Sequence, residues 1–233
     1  MNSLATLATL ATLASVGLVA TTARAQRLGV SLGPVAGVNL CVLSGQINTF
    51  SSLKPGFVGG VALCFRVSPV VAIQPEIVFA QQGTGIVSGP GFFPVSAEGY
   101  TNLNYLNVPV LMKIYVRKAF NFQVGPQVGL LLSGRRVADY SYPANSGNGR
   151  VYASEDTDVA ADYSSDFALC GGIGFDLANG FTSSLRLNYG LSDINNNAQD
   201  KAARNKSGIG GIYNRGYQLT VGYLFIRGKN NKI

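Results

Sequence analysis

The chain has 233 residues, 47% hydrophobic and only 12% charged, with 29 glycines, 12 phenylalanines and 11 tyrosines. That is about half the charge of an average soluble domain, which argues against an ordinary cytosolic surface. The formal charge of +7 comes with no basic stripe, finger spacing or RNP-like motif, so nucleic acid is not an expected partner.

The chain opens with "MNSLATLATLATLASVGLVATTARAQ". An apolar run to Ala20 followed by Ala23-Arg24-Ala25 reads as a secretory signal peptide over residues 1–25, cleaved before Gln26. Met1 to Ser3 hold no basic residue, so an uncleaved anchor is the alternative. No Cys stands at the cleavage point, and a lipoprotein anchor is not indicated. Residues 26–233 form one all-β domain.

Eight segments then alternate apolar and polar residues with the period of a strand. They are 30–41 "VSLGPVAGVNLC", 56–66 "GFVGGVALCFR", 70–80 "VVAIQPEIVFA", 103–115 "LNYLNVPVLMKIY", 120–132, 166–176 "DFALCGGIGFD", 180–191 "GFTSSLRLNYGL" and 215–225 "RGYQLTVGYLF". Each has the length of a tilted bilayer crossing, and their number is even, as single-chain outer-membrane barrels require. The links at 67–69, 116–119 and 177–179 are short, whereas 42–55, 81–102, 133–165 and 192–214 are long. Strict alternation of short and long links predicts an eight-stranded antiparallel transmembrane up-and-down β-barrel with short periplasmic turns and long extracellular loops.

Which face meets lipid follows from the aromatics. On the apolar parity, Phe57, Phe79, Phe167, Tyr189 and Tyr217 gather at the long-loop ends, and Phe65, Phe122, Phe175, Phe181, Tyr223 and Phe225 at the short-turn ends. Two belts match the girdles of the two bilayer interfaces. A soluble lipocalin-like barrel, the alternative, would turn a charged face outward; here the polar face is mostly Gly, Ser, Asn and Gln.

The same parity sends Gln74, Gln123 and Gln127 into the lumen, together with four charges that sum to zero: Glu76, Lys113, Asp166 and Arg186. The third and seventh strands face each other across an eight-stranded barrel, so Glu76 and Arg186 are the expected transverse ion pair. A neutralised polar plug is the plainer reading; a narrow conduit or gate lined by these groups is the functional one.

Several blocks, "AIQPEIVFAQQG" at 72–83, "LNYLNVPVLMKIY" at 103–115, "NFQVGPQVGLLLSG" at 121–134, "LRLNYGLSDI" at 185–194 and "YQLTVGYLF" at 217–225, resemble in order the blocks of the PorT-like family of outer-membrane β-barrel proteins. The resemblance covers nearly the whole mature chain. It implies an eight-stranded barrel in a Gram-negative outer membrane, with no enzymatic activity general to the family. The member that named the family takes part in type IX protein secretion, a role that fold likeness alone does not transfer. Two features depart from the pattern: the basic tail "IRGKNNKI" follows Phe225, and the leader lacks a basic start.

Other chemistry is sparse. The chain contains no histidine, which excludes Ser-His, His-metal and His-Asp sites. "CGGIGFDLANG" at 170–180 lacks the Lys-Ser/Thr of a phosphate loop. No cofactor or metal is expected. Asp156, Asp158 and Asp162 have spacing open to a hard cation, yet an EF-hand's glycine and terminal glutamate are missing, and a solvated acidic loop is expected. Arg135, Arg136, Lys201, Arg204, Lys206 and Arg215 either meet lipopolysaccharide phosphates or, the favoured reading, balance nearby acids. Cys41, Cys64 and Cys170 read as small buried residues, with one disulfide an open alternative. Pro34, Pro75, Pro109 and Pro126 fall inside strands of a barrel that has no edges, which predicts at least one bulge among them.

The expected partners are outer-membrane lipid and lipopolysaccharide, and function is expected in the external loops as binding or assembly surfaces. A narrow passive channel and a component of a secretion or surface-assembly machine are the alternatives.

Overall fold

The computed structural model describes residues 29–45, 50–88, 96–143, 150–208 and 210–226; the expected signal peptide lies outside them. Eleven strands follow in chain order: β1 (Val30–Ser44), β2 (Phe50–Ser52), β3 (Lys54–Arg66), β4 (Val71–Ser88), β5 (Ser96–Tyr115), β6 (Phe120–Pro143), β7 (Arg150–Asp158), β8 (Asp166–Asp176), β9 (Phe181–Gly190), β10 (Tyr213–Tyr223) and β11 (Phe225–Ile226). Eight of them, in the order β10-β9-β8-β6-β5-β4-β3-β1, close into an antiparallel ring when β1 pairs with β10. Closure gives the backbone polar groups of each stave partners on both sides, as lipid demands. β2 and β7 extend the wall beyond the ring by pairing with β4 and β6, and β11 carries the last stave past Leu224 to pair with β1.

Three short turns close one end. In the turn after β8, Gly180 has φ +97°, its N–H reaches Leu177 O at 3.0 Å, and Asn179 Oδ1 accepts from Phe181 N. A Cβ on Gly180 would sit 2.5 Å from Leu224 O. Only glycine fits that corner.

The strand period sorts the side chains as expected. On β9 the exposed residues Phe181, Leu185, Leu187 and Tyr189 alternate with the buried Thr182, Ser184, Arg186 and Asn188. Leu219 is 51% exposed and its neighbour Gln218 only 2%, so the apolar face points outward and the polar face inward. The inner face is not uniformly polar, however. Val35, Val58, Ala62, Ala72, Val78 and Ala80 form an apolar sector inside β1, β3 and β4, and buried polar side chains fill the rest of the inner face, Asn39, Gln74, Glu76 and Gln82 on β1 and β4 among them.

Three expectations need correction. The prolines produce no register shift: the β3–β4 ladder stops at Ala62–Glu76 and resumes in the same register at Phe65–Ile73, skipping Pro75. Similar gaps lie beside Pro109 and Pro126, and Pro34 falls between the β10 and β11 pairings of β1. A missing N–H is met by omitting rungs, and the one shift in these ladders sits at Asn104/Tyr105 instead. Second, the long links are not simply loops. β4, β5 and β6 run to 18, 20 and 24 residues, and much of 133–165 is the β6–β7 ladder. Third, the last long link holds a helix, α1 (Ala198–Lys206), whose N-cap Asn197 accepts from Gln199 N and Asp200 N.

Candidate functional site

The lumen is crossed at mid-height by the pair named from sequence. β4 and β9 are the third and seventh staves, and Arg186 Nη1 donates to Glu76 Oε2 at 2.8 Å with both side chains almost wholly buried. The remaining donors and acceptors are taken up nearby: Gln74 Nε2 donates to Glu76 Oε1 at 2.7 Å, and Arg186 reaches Ser184 Oγ and Thr220 Oγ1. A buried charge pair is tolerable only with its other polar valences satisfied in this way. Above it, Cys170 Sγ donates weakly to Gln127 Oε1, and Asn188 donates to Gln218.

A second polar knot lies nearer the short turns, and half of it escaped sequence reasoning. Lys113, buried on β5, donates to both oxygens of Asp176 at 3.1 and 3.0 Å. Asp176 also accepts from Thr182 Oγ1 at 2.6 Å, Tyr115 OH at 2.5 Å and Asn121 Nδ2 at 3.3 Å, and Gln123 donates to Asn121. The parity that turned Asp166 inward also turns Asp176 inward, so the signal was present at the end of the same segment. The expected neutral set of four charges therefore gains a fifth. Asp166 stands at the other end of β8, accepting from Ser192 Oγ, and does not meet Lys113.

The long-link end is closed by apolar side chains. Leu43, Leu103 and Tyr105 from the wall pack with Val159, Tyr163, Ile194 and Ile212 from the links after β7 and β9. Hydrogen bonds knit those links together: Ser164 N to Ile194 O, Asn196 N to Asp162 O, and Asn197 Nδ2 to Asp162 Oδ1 at 2.9 Å. Tyr105 OH donates to Ser164 O. Arg204, buried on α1, donates to Asp200, Gly45 O and Gly210 O, tying the first link to the last. This lid was not read from sequence, because its residues are scattered through segments with no period.

The acidic and basic groups outside the ring are mostly spoken for. Arg135 makes a two-pronged contact with Asp156, Nε at 2.7 Å and Nη2 at 2.5 Å; these hydrogen bonds hold the Asp156 carboxyl below the usual carboxylate range. Asp158 accepts from Ala160 N, and Asp162 binds Asn197, so the three acids serve three separate contacts. Arg136 reaches Thr101 and Tyr163, and Arg215 lies 4.3 Å over the Tyr189 ring. Lys201 and Lys206 are exposed. Cys41, Cys64 and Cys170 are free and buried.

The aromatic residues singled out from sequence all lie on the outward parity. Phe57, Phe167, Tyr189 and Tyr217 are exposed near the lid end, with Phe79 half-buried; Phe65, Phe122, Phe175, Phe181, Tyr223 and Phe225 are exposed near the short turns. Tyr223 and Phe225 meet edge to face at 5.2 Å, and Phe120, not named from sequence, joins Phe122 and Phe175.

A family model described as outer membrane protein beta-barrel domain matches residues 22–196. No curated protein matches the chain in sequence. Among solved structures, it is similar to Neisserial surface protein A, at 9% identity over 84% of this chain and 99% of that one, with a TM-score of 0.46. It is likewise similar to Ail, the attachment invasion locus protein of Yersinia pestis, solved with the heparin analogue sucrose octasulfate (12%, 85% and 100%, 0.42). A third is CarO2 of Acinetobacter baumannii (9%, 86% and 100%, 0.41).

Proposed function

The chain belongs to the outer membrane protein beta-barrel domain family and resides in the outer membrane, and from that premise we propose that it is a sealed, non-enzymatic anchor that presents a sheet edge outside the cell for binding or assembly. The observation that carries this reading is β7. It pairs with β6 through nine rungs, from Arg135–Asp158 to Pro143–Arg150; among the described residues it has no second neighbour, and all nine of its residues are exposed. An open strand edge is a template for an incoming strand, and Tyr152, 77% exposed, offers an aromatic contact beside it.

The channel alternative is disfavoured by two barriers in series, the Glu76–Arg186 pair and the apolar lid. Absence of histidine from the chain supports the non-enzymatic reading. Placement within the PorT-like branch, and with it a secretion or surface-assembly role, rests on the resemblance of the strand blocks. The lipid partner is the outer membrane itself, and we assign lipopolysaccharide headgroups to the upper belt, where Arg215 stacks on Tyr189 at the height of the lid. Export through a cleaved signal peptide over residues 1–25 completes the reading.

A photo-crosslinking residue placed at Tyr152 in intact cells tests the docking edge, with one at Leu187, on the lipid-facing band, as control. Protein adducts are expected at position 152 and absent at 187; adducts at neither position would remove the binding role.

A further inference from the structure

The charge of the molecule is segregated along the barrel axis. Apart from Glu76 and Asp176, every acidic residue of the chain lies toward the lid end, interleaved with basic residues there. At the short-turn end Arg66, Arg117 and Lys118 flank the turns. Among the described residues the short-turn face therefore carries the unbalanced cations Arg66, Arg117 and Lys118.

That face contains a cavity of about 550 Å³, bordered by Arg66, Lys118, Tyr115, Asp176 and Thr182, within the size range of ligand sites. Asp176 on its wall is already saturated by Lys113, Tyr115, Asn121 and Thr182. Arg66 is thereby left without a carboxylate; its guanidinium is held 4.0 Å over the Tyr115 ring, and Nη1 donates to Pro69 O at 3.4 Å. Among the described residues neither Arg66 nor Lys118 forms an ion pair. Two cations bordering one cavity, with the local acid consumed, form a site for a multivalent anion.

We propose that the periplasmic mouth of the barrel binds an acidic peptide segment of a periplasmic partner, its carboxylates meeting Arg66 and Lys118. The cavity is lined by inward-facing residues such as Cys64, Tyr115 and Thr182 and, at its rim, by turn residues and the belt residue Phe181, so a lipid headgroup is the competing occupant that the experiment below separates. The chain's own tail carries the same sign of charge and is not complementary. This site is at the opposite end of the molecule from the β7 edge and stands or falls independently of it.

Fluorescein-labelled hexaglutamate, titrated by anisotropy against the protein in phosphatidylcholine nanodiscs at low salt, tests the assignment. Binding is expected, weakening as salt rises, and roughly tenfold weaker in either R66Q or K118Q, the loss of about one charge-assisted contact; R66K retains it and R135Q leaves it unchanged. Lys118 is exposed, so K118Q carries the test even if R66Q fails to fold. The proposal is overturned if hexaglutamate does not bind, binds K118Q as tightly as the native protein, or is displaced when phosphatidylglycerol replaces phosphatidylcholine in the discs, which would make the occupant a lipid headgroup.

Discussion

Arg186 Nη1 and Glu76 Oε2 meet at 2.8 Å across the middle of the barrel, although β4 and β9 share no rung of the sheet. The bond is a strut spanning the lumen, and it joins the two halves of the ring where backbone hydrogen bonds cannot.

Removing one end of the strut is expected to cost more than removing both. Glu76→Gln or Arg186→Gln leaves a buried charge unpaired, a loss of about 3–5 kcal/mol, whereas the double substitution leaves neutral groups that hydrogen-bond to Ser184, Thr220 and Gln74. Urea unfolding in lipid vesicles, read by the gel shift between folded and unfolded barrel, measures the cycle. A double variant as unstable as the sum of the singles would show that the two groups act separately.

Asp176 should behave as the keystone of the lower lumen. Asp176→Asn strips Lys113 of its counter-charge while Lys113 is 0% exposed, so a loss of about 3 kcal/mol or more is expected. Lys113→Gln combined with Asp176→Asn is expected to recover much of it, and the same unfolding assay reads both. Equal stability of the single and double variants would place the stabilising role in the Tyr115 and Thr182 hydroxyls.

What could be read from sequence follows from periodicity. Strand number, facing and the opposition of the third and seventh staves come from a two-residue alternation and the spacing of links, so Glu76 and Arg186 were placed before any geometry. Their contact distance was not legible, because it depends on strand tilt. Pro75 marked the right place, but whether a ladder bulges or omits rungs is decided by packing against both neighbours. The lid was illegible for another reason. Val159, Ile194 and Ile212 lie in aperiodic segments, and long-range contacts such as the pairing of Tyr163 with Asn195 and of Ile194 N with Ile212 O bring them over Tyr105. The close approach at Gly83, φ +126°, where a Cβ would fall 2.0 Å from Thr101 O, likewise leaves only a single glycine as its trace.

The outer β6–β7 ladder carries a pH dependence of defined sign. Hydrogen bonds from Arg135 lower the Asp156 pKa below its ordinary 3.8, so their contribution is fully present above that value and is lost as pH falls through the lower, folded one. Acid should therefore loosen this pair only below about pH 4, and both groups being exposed, salt should weaken it as well. Carboxyl-carbon NMR titration of Asp156 checks this: Arg135→Gln is expected to return its midpoint to the ordinary range. An unchanged midpoint would mean that Arg135 does not hold the carboxylate in solution.

Two barriers in series predict an all-or-none response in conductance. The lid excludes water by apolar packing around Tyr105, which is 0% exposed, and the strut below it obstructs whatever passes the lid. Tyr105→Ala is expected to destabilise the lid, since truncating a buried aromatic costs about 3–5 kcal/mol, yet to remain electrically silent in planar bilayers. Glu76→Ala with Arg186→Ala clears the strut beneath an intact lid and should also be silent. Only the three substitutions together remove both of these obstructions, and they are expected to give discrete ohmic openings, small because the lumen of eight staves is narrow and the Lys113–Asp176 knot still stands below. Steady openings in the native protein, or in Tyr105→Ala alone, would show that the strut does not close the lumen and would return the conduit reading to first place.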